Sequence, residues 1–259
     1  MEKTKEQIEQ QKLSKYLVRQ FRQACVDYGL IRDGDFILVG LSGGKDSLAL
    51  VELLGMQQKI YVPRFRVKAV HVSVENIGYK SDVEYLNAFC REHGVDFEHI
   101  TTHYDETTTA DSTSLHKQKT HCFLCSWYRR KALFDKAANE GANKIALGHN
   151  RDDIVQTLLM NLIYQGSFST MPPLLQMNKF DMQVIRPLCL IDEAKLQRYA
   201  QLCEYRKVPK LCPFEMESSR ADIKQLIAQL EQLNPNIRDS VWKAMQNIKT
   251  DYLPMLIDK

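Results

Sequence analysis

The segment Leu41-Ser42-Gly43-Gly44-Lys45-Asp46-Ser47 lies between a continuous apolar run, Phe36 to Leu41, and a stretch with helical spacing, Leu48 to Met56. A buried strand, a tight glycine turn and a helix therefore follow one another within about twenty residues. Two adjacent glycines bring backbone amides close to an anion, and the helix start adds oriented N–H groups with their partial positive charge. Ser42 and Ser47 offer hydroxyls, and Lys45 offers a cation that neutralises phosphate charge. Asp46 suits either a helix start or a Mg²⁺ ion beside the phosphate. The spacing is neither that of the common GxxxxGK[ST] loop nor GxGxxG. Residues 42–47 are the first candidate nucleotide site.

The rest of the chain repeats the strand–helix alternation. Buried-type strands are predicted at Val67–Val74, Val95–Ile100, Lys144–His149 and Gln183–Leu188. Helices are predicted from a capping box at Ser81-Asp82-Val83-Glu84 to about His93, over Asp152–Tyr164, and over 192–206. This pattern predicts an α/β fold, a doubly wound parallel sheet of about five strands with helices on both faces. Ligands in such sheets sit at the carboxyl ends of the strands. A helix over 3–28 precedes the sheet, and helices over 218–232 and 236–248 follow it. The expected organisation is an N-terminal helical segment (1–34), an α/β domain (35–212) and C-terminal helices (213–259) packed on that same domain. The polar stretch 104–121 and the segment 166–182, with Met171-Pro172-Pro173, interrupt the alternation; the latter is expected as a loop or hairpin over the site.

A second strand end carries Gly148-His149-Asn150-Arg151-Asp152-Asp153. A histidine there can face a site, and of two adjacent acids at most one points the same way. Both acids also suit a helix start, where the dipole favours negative charge.

With 44% hydrophobic and 26% charged residues among 259, and a net charge of +3, the composition excludes collagen-like, low-complexity and disordered classes. The polar opening, MEKTKEQIEQQKLSKYL, is no signal peptide, and no apolar run approaches the ~20 residues of a membrane helix. A cytoplasmic, reducing setting is expected. The seven cysteines are too few for a disulfide scaffold and odd in number. Cys25, Cys90, Cys189 and Cys203 read as structural thiols. Cys122 and Cys125 form a CxxC pair, with Cys212 as the third member. A CxxC serves redox exchange, zinc or an iron–sulfur cluster; His121 would complete a Cys₃His zinc set. Three thiolates on a [4Fe–4S] cluster leave one iron open, free to hold sulfide.

Residues 112–134 contain no acid but carry Lys117, Lys119, Arg129, Arg130 and Lys131, with two histidines. The other cysteine segment carries Lys195, Arg198, Arg206, Lys207 and Lys210 against Glu204. If the cysteines converge, these stretches make a surface for RNA phosphates; otherwise they are solvated faces. The first helix reads as a docking or capping helix; the alternative is a basic partner-binding role, since Lys12, Lys15, Arg19 and Arg22 lie opposite its apolar side.

With these residues in hand, the chain resembles the tRNA 2-thiocytidine synthetases, a branch of the N-type ATP pyrophosphatases (PP-loop, HUP-like fold). The resemblance runs from about Leu13 to about Tyr252 and rests on SGGKDS, CFLCSWYRR, IALGHNRDDIVQTLLMNLIY, the MPP loop, IRPL and KAMQNI. It implies ATP and Mg²⁺ activating C2 of a cytidine at position 32 of the tRNA anticodon loop. Sulfur held on a [4Fe–4S] cluster then displaces the adenylate, giving 2-thiocytidine, AMP and pyrophosphate. By motif, Ser42, Gly43, Gly44, Lys45, Asp46, Ser47, Gly148, His149 and Asp152 would bind ATP, with Lys45 and Asp46 also catalytic. Cys122, Cys125 and Cys212 would hold the cluster and take part in the chemistry. The implied partners are tRNA and a cysteine desulfurase or other sulfur donor, with no membrane; a homodimer is compatible with them. The chain departs from the family where KLCPFE has one cysteine in place of a second CxxC, and where Ser73 stands in place of a strand-end acid. The alternatives are a PP-loop sulfurtransferase with another nucleoside or small-molecule acceptor, and a non-catalytic ATP-binding redox sensor.

Overall fold

The computed structural model describes residues 4–60, 62–75, 81–103, 121–206 and 219–254. The described residues form a six-stranded sheet in the order β3-β2-β1-β4-β6-β5. The strands are β1 (Phe36–Gly40), β2 (Arg66–Val74), β3 (Asp96–Thr102), β4 (Lys144–Ala146), β5 (Leu174–Gln176) and β6 (Gln183–Ile185). All neighbours are parallel except β5, which pairs antiparallel with β6 and completes a hairpin. The predicted parallel sheet of about five strands thus gains a sixth. β5 spans only Leu-Leu-Gln, half-buried to exposed, and so carries no continuous apolar run.

The helices are α1 (Lys5–Asp27), α2 (Lys45–Gln58), α3 (Val83–His93), α4 (His121–Glu140), α5 (Arg151–Gln165), α6 (Glu193–Leu202), α7 (Ser219–Leu233) and α8 (Ile237–Gln246). α1 opens with a true capping box: Thr4 Oγ1 accepts from the Gln7 amide at 3.2 Å, and Gln7 Oε1 accepts from the Thr4 amide at 2.9 Å. The box predicted at Ser81 shifts by one residue, because Asp82 Oδ1 takes the Tyr85 amide at 2.9 Å and is the N-cap of α3. α6 is shorter than predicted: Cys203 is its C-cap, not an interior residue. Cys189 lies beyond the end of β6, not at a strand terminus.

Alternate residues of β1 and β2 face opposite layers. Phe36, Leu38, Val70 and Val72, with Ile145, pack on Leu133 and Ala137 of α4. α2 is apolar nearly all round and buries Leu48, Leu50, Val51 and Leu54. It packs against α1, α3 and α6 as well as the sheet. That explains why LALVELL reads as uniformly hydrophobic where a surface helix would show a stripe.

The described residues fall into two compact units: Met1–Arg151 with Pro172–Glu217, and Asp152–Met171 with Ser218–Lys259. The first holds the sheet. In the second, Val155 of α5 meets Ile223 and Ile227 of α7, with Val241 of α8 against them. No described helix is long and apolar enough to cross a membrane.

Candidate functional site

From β1 the chain order of the sheet runs outward in two directions, to β2 and β3 on one side and to β4 and β6 on the other. The crevice between the carboxyl ends of β1 and β4 is the topological switch point, where α/β sheets bind ligands. Both predicted strand-end motifs open there, since β1 and β4 are hydrogen-bonded neighbours.

Gly43 takes φ +84°, a left-handed conformation that favours glycine. Ser42 Oγ lies 3.1 Å from Ser47 Oγ and accepts the Gly44 amide at 3.3 Å. Ser47 Oγ also reaches the Gly44 carbonyl at 2.9 Å. The loop is thus closed on itself by its two serines before any ligand enters. Gly44 is the N-cap of α2 and supplies no side-chain cap, so the helix start keeps amide donors to offer. On the β4 side, a Cβ on Gly148 would stand 3.1 Å from both the Asp46 carbonyl carbon and the Ser47 amide nitrogen. Only glycine lets the two strand-end turns lie this close. His149 follows it, half-buried.

Lys45 is clasped by two carboxylates, Asp46 at 3.0 Å and Glu193 of α6 at 3.4 Å. Burial pushes its ammonium pKa down, but Asp46 and Glu193 outweigh burial and hold it above the ordinary lysine value. Lys45 is therefore a permanent cation at neutral pH, suited to phosphate charge. Glu193 lies 148 residues from Lys45, and nothing in the sequence pattern links the two. His71 of β2 is another residue that motif reading missed. It is buried, its Nδ1 lies 2.7 Å from the Leu41 carbonyl at the entry to the loop, and its Nε2 has no hydrogen-bond partner among the described residues. Burial first, and the neighbouring His99 and Arg129 after it, hold its pKa below the ordinary histidine range despite the Leu41 bond. At neutral pH it is a neutral ring with a free acceptor. Ser73, where an acid was expected by resemblance, bonds His99 Nε2 at 2.8 Å.

Asp152 belongs to the second unit. There its Oδ1 accepts Arg238 Nε of α8 at 2.7 Å, and Arg238 also pairs with Glu231.

The cysteines divide clearly. Burial pushes the Cys25, Cys90 and Cys189 thiols up to about 12, and raises Cys203 as well. At such values the thiolate is scarcely populated at pH 7, as in structural buried cysteines. Cys125 is a half-buried thiol, not in a disulfide, on the first turns of α4, packed with Val74, Leu124 and Tyr128. Cys122 stands one turn before it in the same helix; its side chain, and the whole of Cys212, lie outside the described residues. So do the stretch 104–120 and the bases Lys117, Lys119, Lys207 and Lys210. Among the described residues no group of three or more His, Cys, Asp or Glu side chains is placed to hold a metal ion. Part of the expected basic surface is neutralised locally: Lys131 pairs with Asp135 at 2.7 Å, Arg198 with Glu9 at 2.6 Å and Arg206 with Asp82 at 3.0 Å.

A family model for the PP-loop domain matches residues 11–209. The chain is 39% identical over 250 residues to the tRNA-cytidine(32) 2-sulfurtransferase of Burkholderia multivorans, covering 96% of this chain and 74% of the relative. It is 40% identical over 252 residues to the protein of that name from Burkholderia mallei, with 96% and 74% covered. Among solved structures it resembles the U34-tRNA thiolase of Methanococcus maripaludis, determined with its [4Fe–4S] cluster, at 26% identity and a TM-score of 0.70. That match covers 93% of this chain and 81% of the other. The switch-point loop, its Gly148 partner and these likenesses agree: the chain is an enzyme of the PP-loop family, and belongs to its tRNA-cytidine 2-sulfurtransferase branch.

Proposed function

We propose that the enzyme thiolates C2 of the cytidine at position 32 of the tRNA anticodon loop, at the expense of ATP. The observation that carries this reading is the self-closed Ser42–Ser47 loop at the β1/β4 switch point, in a chain whose curated relatives are named for that reaction. The amides of Gly43 and Gly44 and the hydroxyls of Ser42 and Ser47 hold the departing pyrophosphate. Lys45 exchanges its carboxylate partners for phosphate oxygens and offsets the charge that develops as the bond between the α and β phosphates breaks. Asp46, released from Lys45, is placed to hold Mg²⁺. The cytidine O2 attacks the α-phosphorus, pyrophosphate leaves, and the resulting adenylate makes C2 open to substitution. Sulfide then forms the C–S bond as the C–O bond to AMP breaks, so neither oxidant nor reductant is consumed.

The thiols of Cys122, Cys125 and Cys212 fit a cluster by donor chemistry, since thiolates are the usual protein ligands of [4Fe–4S] clusters. A bound [4Fe–4S] cluster with three such ligands supplies an open iron for sulfide. Burial holds the thiols of the four remaining cysteines above the ordinary value, which disfavours the thiolate a ligand needs and so supports this choice. Arg186, buried and bonded through Nη1 to the Pro172 carbonyl at 2.6 Å, ties the Met-Pro-Pro loop to the end of β6. We read this as fixing the loop's approach to the site.

The test is mass analysis of nucleosides in tRNA from a strain lacking the gene, complemented with wild type or Cys122→Ala. Loss of 2-thiocytidine, restored only by wild type, is expected. Unchanged 2-thiocytidine would overturn the substrate. An anaerobic preparation that is colourless and contains stoichiometric zinc would overturn the cluster.

A further inference from the structure

α1 separates its charges by face. At 100° per residue, Lys12, Lys15, Arg19 and Arg22 fall within an arc of roughly 80°. That arc lies opposite the buried seam of Leu13, Leu17, Phe21 and Ala24. All four bases are exposed, and they extend about 15 Å along the helix. Lys15, Arg19 and Arg22 line a shallow hollow of about 520 Å³ together with Val18 and Val26. Among the described residues no carboxylate pairs with any of the four; Arg22 contacts neutral Gln57 at 3.2 Å, and Arg19 lies 5.8 Å from the centre of the Tyr16 ring. Of the three acids of the helix, Glu9 pairs with Arg198, Asp27 accepts from Gln23, and Glu6 lies in the first turn, two positions before Ile8 and outside the basic arc. Helix bases that merely solvate a surface commonly alternate with acids at i+3 or i+4. Here they do not.

The stripe is also connected to the reaction centre. Burial, and after it the nearby carboxylate of Asp192, the N-cap of α6, raise the phenol pKa of Tyr16 on the flank of the stripe. The adjoining Glu193 holds Lys45 of the phosphate loop. The flank of the stripe is thus neighbour to the α6 start that holds the phosphate-loop lysine.

We propose that Lys12, Lys15, Arg19 and Arg22 form a docking surface for the sugar–phosphate backbone of tRNA, a step that rests on the tRNA substrate proposed above. Helical RNA is recognised chiefly through phosphates and shape, and point charges spaced along one line suit that mode. The valines of the hollow supply apolar contact beside them. The surface orients and retains the substrate; it takes no part in the bond changes.

Binding of an unmodified tRNA transcript by fluorescence anisotropy, over about 50–200 mM salt, tests this directly. The full-length protein is compared with Lys12→Gln/Lys15→Gln/Arg19→Gln/Arg22→Gln and with a charge-matched control, Arg32→Gln/Lys59→Gln/Arg64→Gln/Arg91→Gln. The stripe variant is expected to bind at least about tenfold more weakly. Its slope of log affinity against log salt should be shallower by roughly 3, the share of four phosphate contacts. The control should keep the wild-type slope to within about 1. Should the quadruple variant melt early, the pairs Lys12→Gln/Lys15→Gln and Arg19→Gln/Arg22→Gln should each lower the slope by about half as much. Equal affinity and slope in wild type and stripe variant would overturn the proposal, as would an equal loss in the control. A stripe variant that binds tRNA normally but no longer acquires sulfur from a desulfurase would assign the surface to a protein instead, and also overturn it. Absence of any tRNA binding by wild type would remove the substrate reading itself.

Discussion

The two ends of the sheet handle polar groups in opposite ways. Near the amino ends of the strands the buried and half-buried charges of Lys144, Asp35, Lys68 and Glu98 have close partners. Lys144, 2% exposed, lies 2.7 Å from Asp35 and donates to the Leu30 carbonyl at 2.7 Å. Asn143 bonds both Asp35 and the Phe36 amide. Lys68, Glu98, Lys136 and Glu140 close a four-membered ring of ion pairs across β2, β3 and α4. At the carboxyl ends, His71 Nε2 and Arg186 Nε are buried without hydrogen-bond partners among the described residues, and α2 begins without a side-chain cap. One end is satisfied and holds the fold. The other keeps buried polar atoms whose lack of a protein partner costs about 1–3 kcal/mol each.

This contrast is open to being broken by substitution. The largest stability effect belongs to the amino end: Lys144→Met leaves Asp35 buried and uncompensated, and should cost about 3–5 kcal/mol in urea unfolding. ATP affinity of the folded fraction should stay at the wild-type value. At the carboxyl end, Lys45→Ala should reverse the pattern. Its ion pairs are partly exposed, at 28% for Lys45 against 26% and 31% for its partners. Stability should therefore move by no more than about 1 kcal/mol. The rate of ATP-dependent pyrophosphate release should fall about 100-fold or more, because a preorganised charge is lost. A Lys144 variant with normal stability, or a Lys45 variant with normal turnover, would collapse the distinction.

The smallest effect is in pH. Hydrogen bonds from Lys136 and then Lys68 hold the Glu98 carboxyl down at about 2, against an ordinary value of 4.5. A lowered carboxylate stabilises the fold above its ordinary pKa, and that contribution fades as pH falls from 4.5 towards 2. The stability gap between wild type and Glu98→Gln should accordingly be constant above about pH 5.5 and shrink on acidification. A gap that widens towards low pH would contradict the ring's role.

What could be read in advance follows the range of the interactions involved. β1, the glycine turn and α2 are legible in twenty consecutive residues because local geometry determines them. β4 and the Gly148 turn are legible for the same reason. β5 is not, since three residues with little burial acquire their strand identity from β6. The shift of the α3 cap to Asp82 turns on which of two adjacent side chains reaches the Tyr85 amide, a matter of torsion angles. Glu193 on Lys45 and Arg238 on Asp152 join residues 148 and 86 positions apart; only tertiary packing brings them together. The compact unit built from part of α5 with α7 and α8 is hidden likewise, because its apolar faces come from segments some sixty residues apart. The odd cysteine count becomes informative only when the fold places Cys90 and Cys189 in the core and Cys125 on the first turns of α4.

The central claim is that one chain couples ATP cleavage to sulfur insertion in tRNA. Anaerobically purified protein, given ATP, Mg²⁺, sulfide and unmodified tRNA transcript, should form 2-thiocytidine at position 32 together with equimolar AMP and pyrophosphate. Omission of ATP, or Lys45→Ala, should abolish all three products together. ATP cleavage to AMP and pyrophosphate that proceeds at the same rate without tRNA, with no thiolated nucleoside formed, would contradict the account.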